Sequence, residues 1–238
     1  MIKKLLSVSG LLLGASLIAI VVTPARVSLQ PSQNSRQAEK QSFDRTSLEG
    51  RVRKEKEKGA KSVTFSAPLV EYADGISLDD ALSATVVVAA VTEKHSRQLD
   101  SHTIGTFYRL SILETLSEAT PQACCLPKDE ALPADLPPLS PDETYFLGIG
   151  GTITLDGIEV TVKEDFGTLM PGDRYLMFLP RSASGKLSTS AIGPSGVFRI
   201  NGGGRLESIG KQHRLGRDLE ERYQNSLTQL KDKIKKRP

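Results

Sequence analysis

The chain has 238 residues, a formal net charge of +3, 38% apolar and 5% aromatic residues, two cysteines and no tryptophan. That is room for one or two domains. It excludes a polytopic membrane protein, since one segment alone is apolar enough to span a bilayer. It also excludes a disulfide-dense scaffold and a wholly disordered chain, the latter because the middle is rich in Val, Ile, Leu and Phe.

Lys3 and Lys4 precede residues 5–22, an uncharged apolar run. The run is longer than the roughly 7–15 residues of a signal-peptide core. It just reaches the roughly 17–25 residues of a transmembrane helix. Thr23 and Ala25 make a poor cleavage site, and no cysteine directly follows to accept a lipid. Residues 1–25 therefore read as a signal peptide or membrane anchor, with the anchor preferred. The basic flank puts the N-terminus inside and the rest outside the cytoplasm.

The modest net charge hides three zones. Residues 26–61 carry a net +5, residues 62–204 a net −9, and residues 205–238 a net +5. The first arm is poor in large apolar residues, cannot bury enough surface to order itself, and reads as a flexible basic tether. Its end, RVRKEKEKGAK (residues 51–61), alternates charge and reads as a solvated, transiently helical spacer. The sharper alternative is contact with anionic lipid head groups or cell-wall polymer.

The body, residues 62–206, reads as β structure. Ser77 caps a short helix, with Asp79 and Asp80 in its first turn. Residues 85–93 (TVVVAAVTE) suit a strand buried on both faces. A turn is expected over 94–102, then a second long strand over 103–116. Tyr108, Leu110, Ile112 and Leu116 fall on one of its faces, Phe107, Arg109, Ser111 and Thr115 on the other, with Leu113 beside them. The pair reads as a hairpin. A further strand spans 144–155, Asp156-Gly157 is a turn that wants positive φ, and Ile158, Val160 and Val162 alternate with polar residues. Pro171-Gly172-Asp173 turns into RYLMFL (174–179), Ser184-Gly185 turns into 186–192, and GVFRI (196–200) is the last strand, closed by residues 201–204. Six to eight short strands predict a small antiparallel barrel, or alternatively a β-sandwich.

The order of helix, long hairpin, PGDRYLMFL (171–179) and GPSGVFRI (193–200) resembles uncharacterised exported bacterial domains of OB-like barrel type. The likeness covers roughly residues 77–206 and implies a barrel of unknown ligand. The architecture is also similar to netrin/TIMP-like inhibitor domains. Those depend on an N-terminal cysteine framework, and no cysteine here precedes Cys124, so inhibition is not implied.

Residues 117–143 form a proline-rich acidic insert, with Pro at 121, 127, 133, 137, 138 and 141. The missing donors exclude a central strand or helix interior. Cys124 and Cys125 lie in it side by side, as redox candidates. Adjacent Cα atoms stand about 3.8 Å apart, below the usual disulfide span of about 4.4–6.8 Å, so a bond between them would be strained and easily reduced. Inert thiols, an inter-chain crosslink and a metal site are the other readings. Metal is weak, since His95 and His102 are the only histidines of the body that could join them.

No cofactor is expected, and no catalytic residue is assigned. Gly193-Pro194-Ser195-Gly196 lacks the spacing of G-x-S-x-G. No phosphate-binding loop or H-E-x-x-H occurs. His95 and His102 with Asp100 are an acid–base set by composition only, placed in an expected turn.

Residues 207–238 read as a basic amphipathic helix. Leu215, Leu219, Tyr223, Leu227, Leu230 and Ile234 recur at helical spacing, over one helix from 212 to 235. The stripe packs on the acidic body or serves as a partner-helix face, for another protein or for self-association. A membrane-surface role is a third reading. Nucleic acid is not an expected partner, because the body is acidic.

The sequence thus reads as a non-catalytic extracytoplasmic binding or scaffold protein, membrane-anchored or secreted, of unknown ligand. The alternative is a redox-responsive factor or thiol enzyme using Cys124 and Cys125. The anchor reading predicts a full-length intact mass for the natively produced protein. A mass lacking residues 1–25 would replace the anchor by a cleaved signal.

Overall fold

The structure, a computed structural model, describes residues 44, 46–66, 76–118, 132–163, 167–179, 187–188, 193–209 and 213–236. The expected signal or anchor helix, Cys124 and Cys125, and the 184–185 turn lie outside the described residues. In chain order the elements are α1 (Leu48–Glu57), β1 (Ser62–Ser66), α2 (Leu78–Ala81), β2 (Thr85–Gln98), β3 (Ile104–Ser117), β4 (Glu143–Ile149), β5 (Gly151–Leu155), β6 (Ile158–Lys163), β7 (Arg174–Leu179), β8 (Leu187–Ser188), a 3-10 turn (Gly193–Gly196), β9 (Val197–Ile200), β10 (Leu206–Ser208), α3 (Arg214–Tyr223) and α4 (Leu227–Lys235).

The chain is mainly β. Seven strands form one sheet in the order β10-β9-β7-β2-β3-β4-β8, and three form another in the order β1-β6-β5. Pairing is antiparallel except for β4 with β8 and β1 with β6. Neither sheet closes on itself among the described residues, which corrects the expected barrel. Two local causes are visible. The expected strand over 144–155 breaks at Gly150 and Gly151, with φ of 119° and 130°, and its two halves enter different sheets. At the other end, the edge of β10 is capped by irregular backbone. Leu206 N–H donates to the Asn225 carbonyl at 2.7 Å, and Arg205 bridges to Ser226.

The hairpin of β2 and β3 is the centre. Residues 85–91 are almost wholly buried, as their lack of charge requires. Val86 and Val88 face α2, α3 and α4 in a core with Leu176, Phe178 and Phe198. Val87, Ala89 and Val91 face the other way, with Tyr108, Leu110, Phe146 and Met177. β2 continues to Gln98, so residues 94–98, expected in the turn, are strand.

Residues 48–57, expected within a flexible tether, are instead α1. Ser47 caps it by accepting from Gly50 N–H, and Leu48 and Val52, one turn apart, are buried against Ile158, Val160 and Val162. Arg51 lies 3.8 Å over the Phe65 ring and Lys56 reaches the Asp156 carbonyl at 2.6 Å. Two apolar residues on one helical face suffice to dock a helix that is otherwise charged.

The single C-terminal helix expected over 212–235 is two. Gln224 and Asn225 are left-handed, with φ of 52° and 55°; Gln224 N–H still donates to the Glu220 carbonyl of α3, while the Asn225 carbonyl accepts from Leu206 of β10. The stripe survives the break. Leu215, Leu219, Leu230 and Ile234 are buried in the core beneath the sheet, with Tyr223 and Leu227 packed against it. Asp218 of α3 accepts from Leu78 N–H at 2.9 Å, and Arg222 pairs with Asp79 at 2.8 Å, fixing α2 to α3. Lys231 of α4 pairs with Glu114 of β3.

The joint between the sheets is tested by glycine. A Cβ at Gly151 would lie 2.2 Å from Thr106 Oγ1 and 2.6 Å from Ser96 Oγ, two hydroxyls that bond each other at 2.8 Å. Gly157 also has positive φ, but nothing stands within 4 Å of its Cβ position. Gly151→Ala should cost roughly 3 kcal/mol or more, Gly157→Ala about 1–2 kcal/mol. Urea denaturation of both variants checks the ranking, and equal losses would contradict it.

Candidate functional site

Beyond Val91 the hairpin changes character. A register shift between Val91 and Glu93 leaves Thr92 unmatched, its hydroxyl donating to the Arg109 carbonyl at 3.3 Å. After the bulge, Glu93, His95 and Arg97 share one face of β2 by strand alternation. Across the ladder Glu93 pairs with Arg109 and His95 with Phe107. On β4, Arg109 pairs with Tyr145 and Phe107 with Leu147. The result is a face of three strands bearing two arginines, two aromatic rings, two carboxylates and a histidine.

Its groups are tightly coupled. Arg109 donates to Glu143 Oε2 at 2.7 Å and to Glu93 Oε1 at 3.3 Å. His95 Nε2 lies 3.0 Å from Glu93 Oε2. Phe107 and Tyr145 meet edge to face at 6.3 Å, and the Arg97 guanidinium stands 5.3 Å from the Phe107 ring centre.

The end of the insert lies across this face as a strap. Leu136 is buried in one cluster with Phe107 and Tyr145, with Leu132 and Leu139 packed against it. Burying a leucine contributes about 1.5–3 kcal/mol. Polar contacts fix the register. Arg97 pairs with Asp135. Tyr145 Oη donates to the Pro137 carbonyl at 2.9 Å, and Arg109 Nη2 to the Pro138 carbonyl at 3.0 Å. Glu143 Oε2 also accepts Ser140 N–H at 2.8 Å.

These contacts shift the titrations. The hydrogen bond from Arg109, then that from Ser140, holds the Glu143 carboxyl below its ordinary value. The Arg97 hydrogen bond does the same for Asp135. Burial raises the Tyr145 phenol.

His95, His102 and Asp100 are not brought together. His95 sits on the strand face, whereas His102 is at the hairpin tip, with Nδ1 3.3 Å from the Thr46 carbonyl. Asp100 accepts the His102 backbone N–H at 2.7 Å, which lowers its pKa. The six stripe residues of α3 and α4 line this chain's own core. Among the described residues no group of three His, Cys, Asp or Glu side chains could hold a metal ion. No helix among them is long and apolar enough to cross a membrane.

The strand face is invisible in a β2 that ends at Glu93, because half of it lies on residues 94–98. The available signal was the alternation of Glu93, His95 and Arg97 opposite Phe107 and Arg109. Comparison with family models, curated proteins and solved structures finds no match to this chain.

Glu143 makes the face sensitive to acid. Its pKa is lowered in the fold, so its stabilisation is present above the ordinary carboxylate range and is lost as pH falls through the folded value. Glu143→Gln should therefore lower stability at pH 7 and flatten the acid limb of the stability curve. Urea midpoints measured from pH 7 downward check this, and parallel curves for both proteins would contradict it.

Proposed function

We propose that the chain is a non-catalytic binding or scaffold protein, held outside the cytoplasm by residues 1–25 and presenting the β2–β3–β4 face to a partner. The observation that carries this reading is the composition of that face. It combines two arginines with an aromatic pair covered by residues 132–140, and its flank at Glu93 and His95 is open, with side chains 45% and 32% exposed. Aromatic rings and arginines are the residues that dominate protein interfaces. The extracytoplasmic location is supported by Lys3 and Lys4 ahead of the uncharged run at 5–22. The chain's acidic middle favours a partner with basic or neutral approach surfaces over a nucleic acid.

The test is a photo-crosslinking residue placed singly at Glu93, at His95 and, as a control on the other sheet, at exposed Glu159. In producing cells, the first two positions should yield one discrete crosslinked product that Glu159 does not. Equal labelling at all three, or none at Glu93 and His95, would overturn the reading. The Cys124→Ser/Cys125→Ser double variant should crosslink as the native chain does. Loss of the product in that variant would transfer the function to the thiols.

A further inference from the structure

The strap is recognised as a ligand would be. Pro137 and Pro138 have no N–H, and residues before proline are driven to extended backbone. Residues 133–136 close a turn, Leu136 N–H donating to the Pro133 carbonyl at 3.1 Å, and the proline carbonyls that follow it are free to accept from outside. Here two consecutive ones do so, Pro137 from the Tyr145 hydroxyl and Pro138 from Arg109. Leu136 is buried against the two rings, and Asp135 meets Arg97. Aromatic walls, side-chain donors to proline carbonyls and one charge for orientation are the physical elements of proline-segment recognition.

The strap's backbone meets the ladder at its end, where Glu143 N–H donates to the Ser140 carbonyl at 3.0 Å. β3 and β4 pair with each other through Gly105–Ile149 to Ser111–Glu143 whatever covers them. Leu136 of the strap forms a cluster with Phe107 and Tyr145 apart from the three larger cores. Residues 119–131 separate the strap from β3 and span up to roughly 45 Å of chain. Asp135 is 76% exposed, so the orienting ion pair is open to exchange.

We propose that this face is a docking groove for a proline- and leucine-bearing segment of a partner protein, and that residues 132–140 are its internal occupant, which the partner segment displaces. The proposal rests on reading the face as the binding surface and adds the chemistry of what it binds. The strap then acts as an autoinhibitory competitor. Its sequence, Leu-Pro-Ala-Asp-Leu-Pro-Pro-Leu-Ser, is a template for the partner: an acid, a leucine and two prolines in succession.

The test uses the full chain and a labelled synthetic peptide of residues 130–141. The strap is weakened in place by Asp135→Ala, Leu136→Ala and Leu139→Ala, which leave the groove side intact. The peptide should bind this variant at least about tenfold more tightly than the native chain, whose own strap competes. Adding Arg97→Glu should weaken binding about tenfold, and a peptide with lysine in place of Asp135 should recover it. Equal affinity for the native and weakened chains, or no saturable binding to a variant that still melts cooperatively, would overturn the proposal. If the triple variant does not melt cooperatively, Asp135→Lys alone serves, and the same ranking against the native chain decides. Crosslinking at Glu93 and His95 without peptide binding would leave the binding surface standing and remove only its proline-segment chemistry. Peptide binding without a crosslinked product would do the reverse.

Discussion

Strand β2 has no charge from Thr85 to Thr92 and sits between β3 and β7, so water must leave both of its faces. That requirement organises the molecule. On one face it calls for α2, α3 and α4, which supply Leu78, Leu215, Leu219 and Leu230 over Val86 and Val88. On the other face it draws Tyr108, Phe146 and Met177 over Val87 and Val91. A strand with one polar face would have left the amphipathic C-terminal segment without a surface to cover.

The same strand then turns polar. One unmatched residue at Thr92 separates the wholly buried run from the alternating run of Glu93, His95 and Arg97. Because β2 and β3 are a single hairpin, the polar half inherits its rigidity from the apolar half. The second sheet holds the far end. Leu48 N–H of α1 donates to the Ser101 carbonyl at the hairpin tip at 2.7 Å, and Thr106 Oγ1 donates to the Gly150 carbonyl at 2.7 Å where the chain changes sheets. The candidate face is therefore framed by a core at one end and a docked helix at the other.

Much of this was legible as residue pattern. The β-branched run, the long second strand, the Asp156-Gly157 turn with φ of 51° and 77°, and the α3–α4 stripe all follow from local chemistry and periodicity. What the pattern missed depends on distant partners. Leu48 and Val52 look unremarkable in a charged segment until β6 is beside them. Asn225 tolerates the left-handed conformation but does not by itself end a helix; the turn is rewarded by the Leu206 N–H bond to the Asn225 carbonyl and the Leu227 N–H bond to the Gly204 carbonyl. The barrel expectation failed where a Gly-Gly pair sent one apparent strand into two sheets. The candidate face was half visible, with Phe107 and Arg109 already on one side of β3, but its second half required knowing that β2 ran on to Gln98.

The division of labour on that face follows from exposure. Arg109 and Glu143 are only 17% and 14% exposed, and each bonds both the sheet and the strap, so their pairing belongs to the framework. Asp135 is open to solvent, where an ion pair adds little to stability and a good deal to orientation. The attraction between strap and sheet then comes chiefly from Leu136 and its neighbours, which any segment of similar shape can supply. Identity is read instead by the acid that meets Arg97 and by the prolines, whose fixed backbone sets the carbonyls before Tyr145 and Arg109. A groove held by interchangeable apolar contacts and specified by a few polar ones is suited to exchange between an internal segment and an external one.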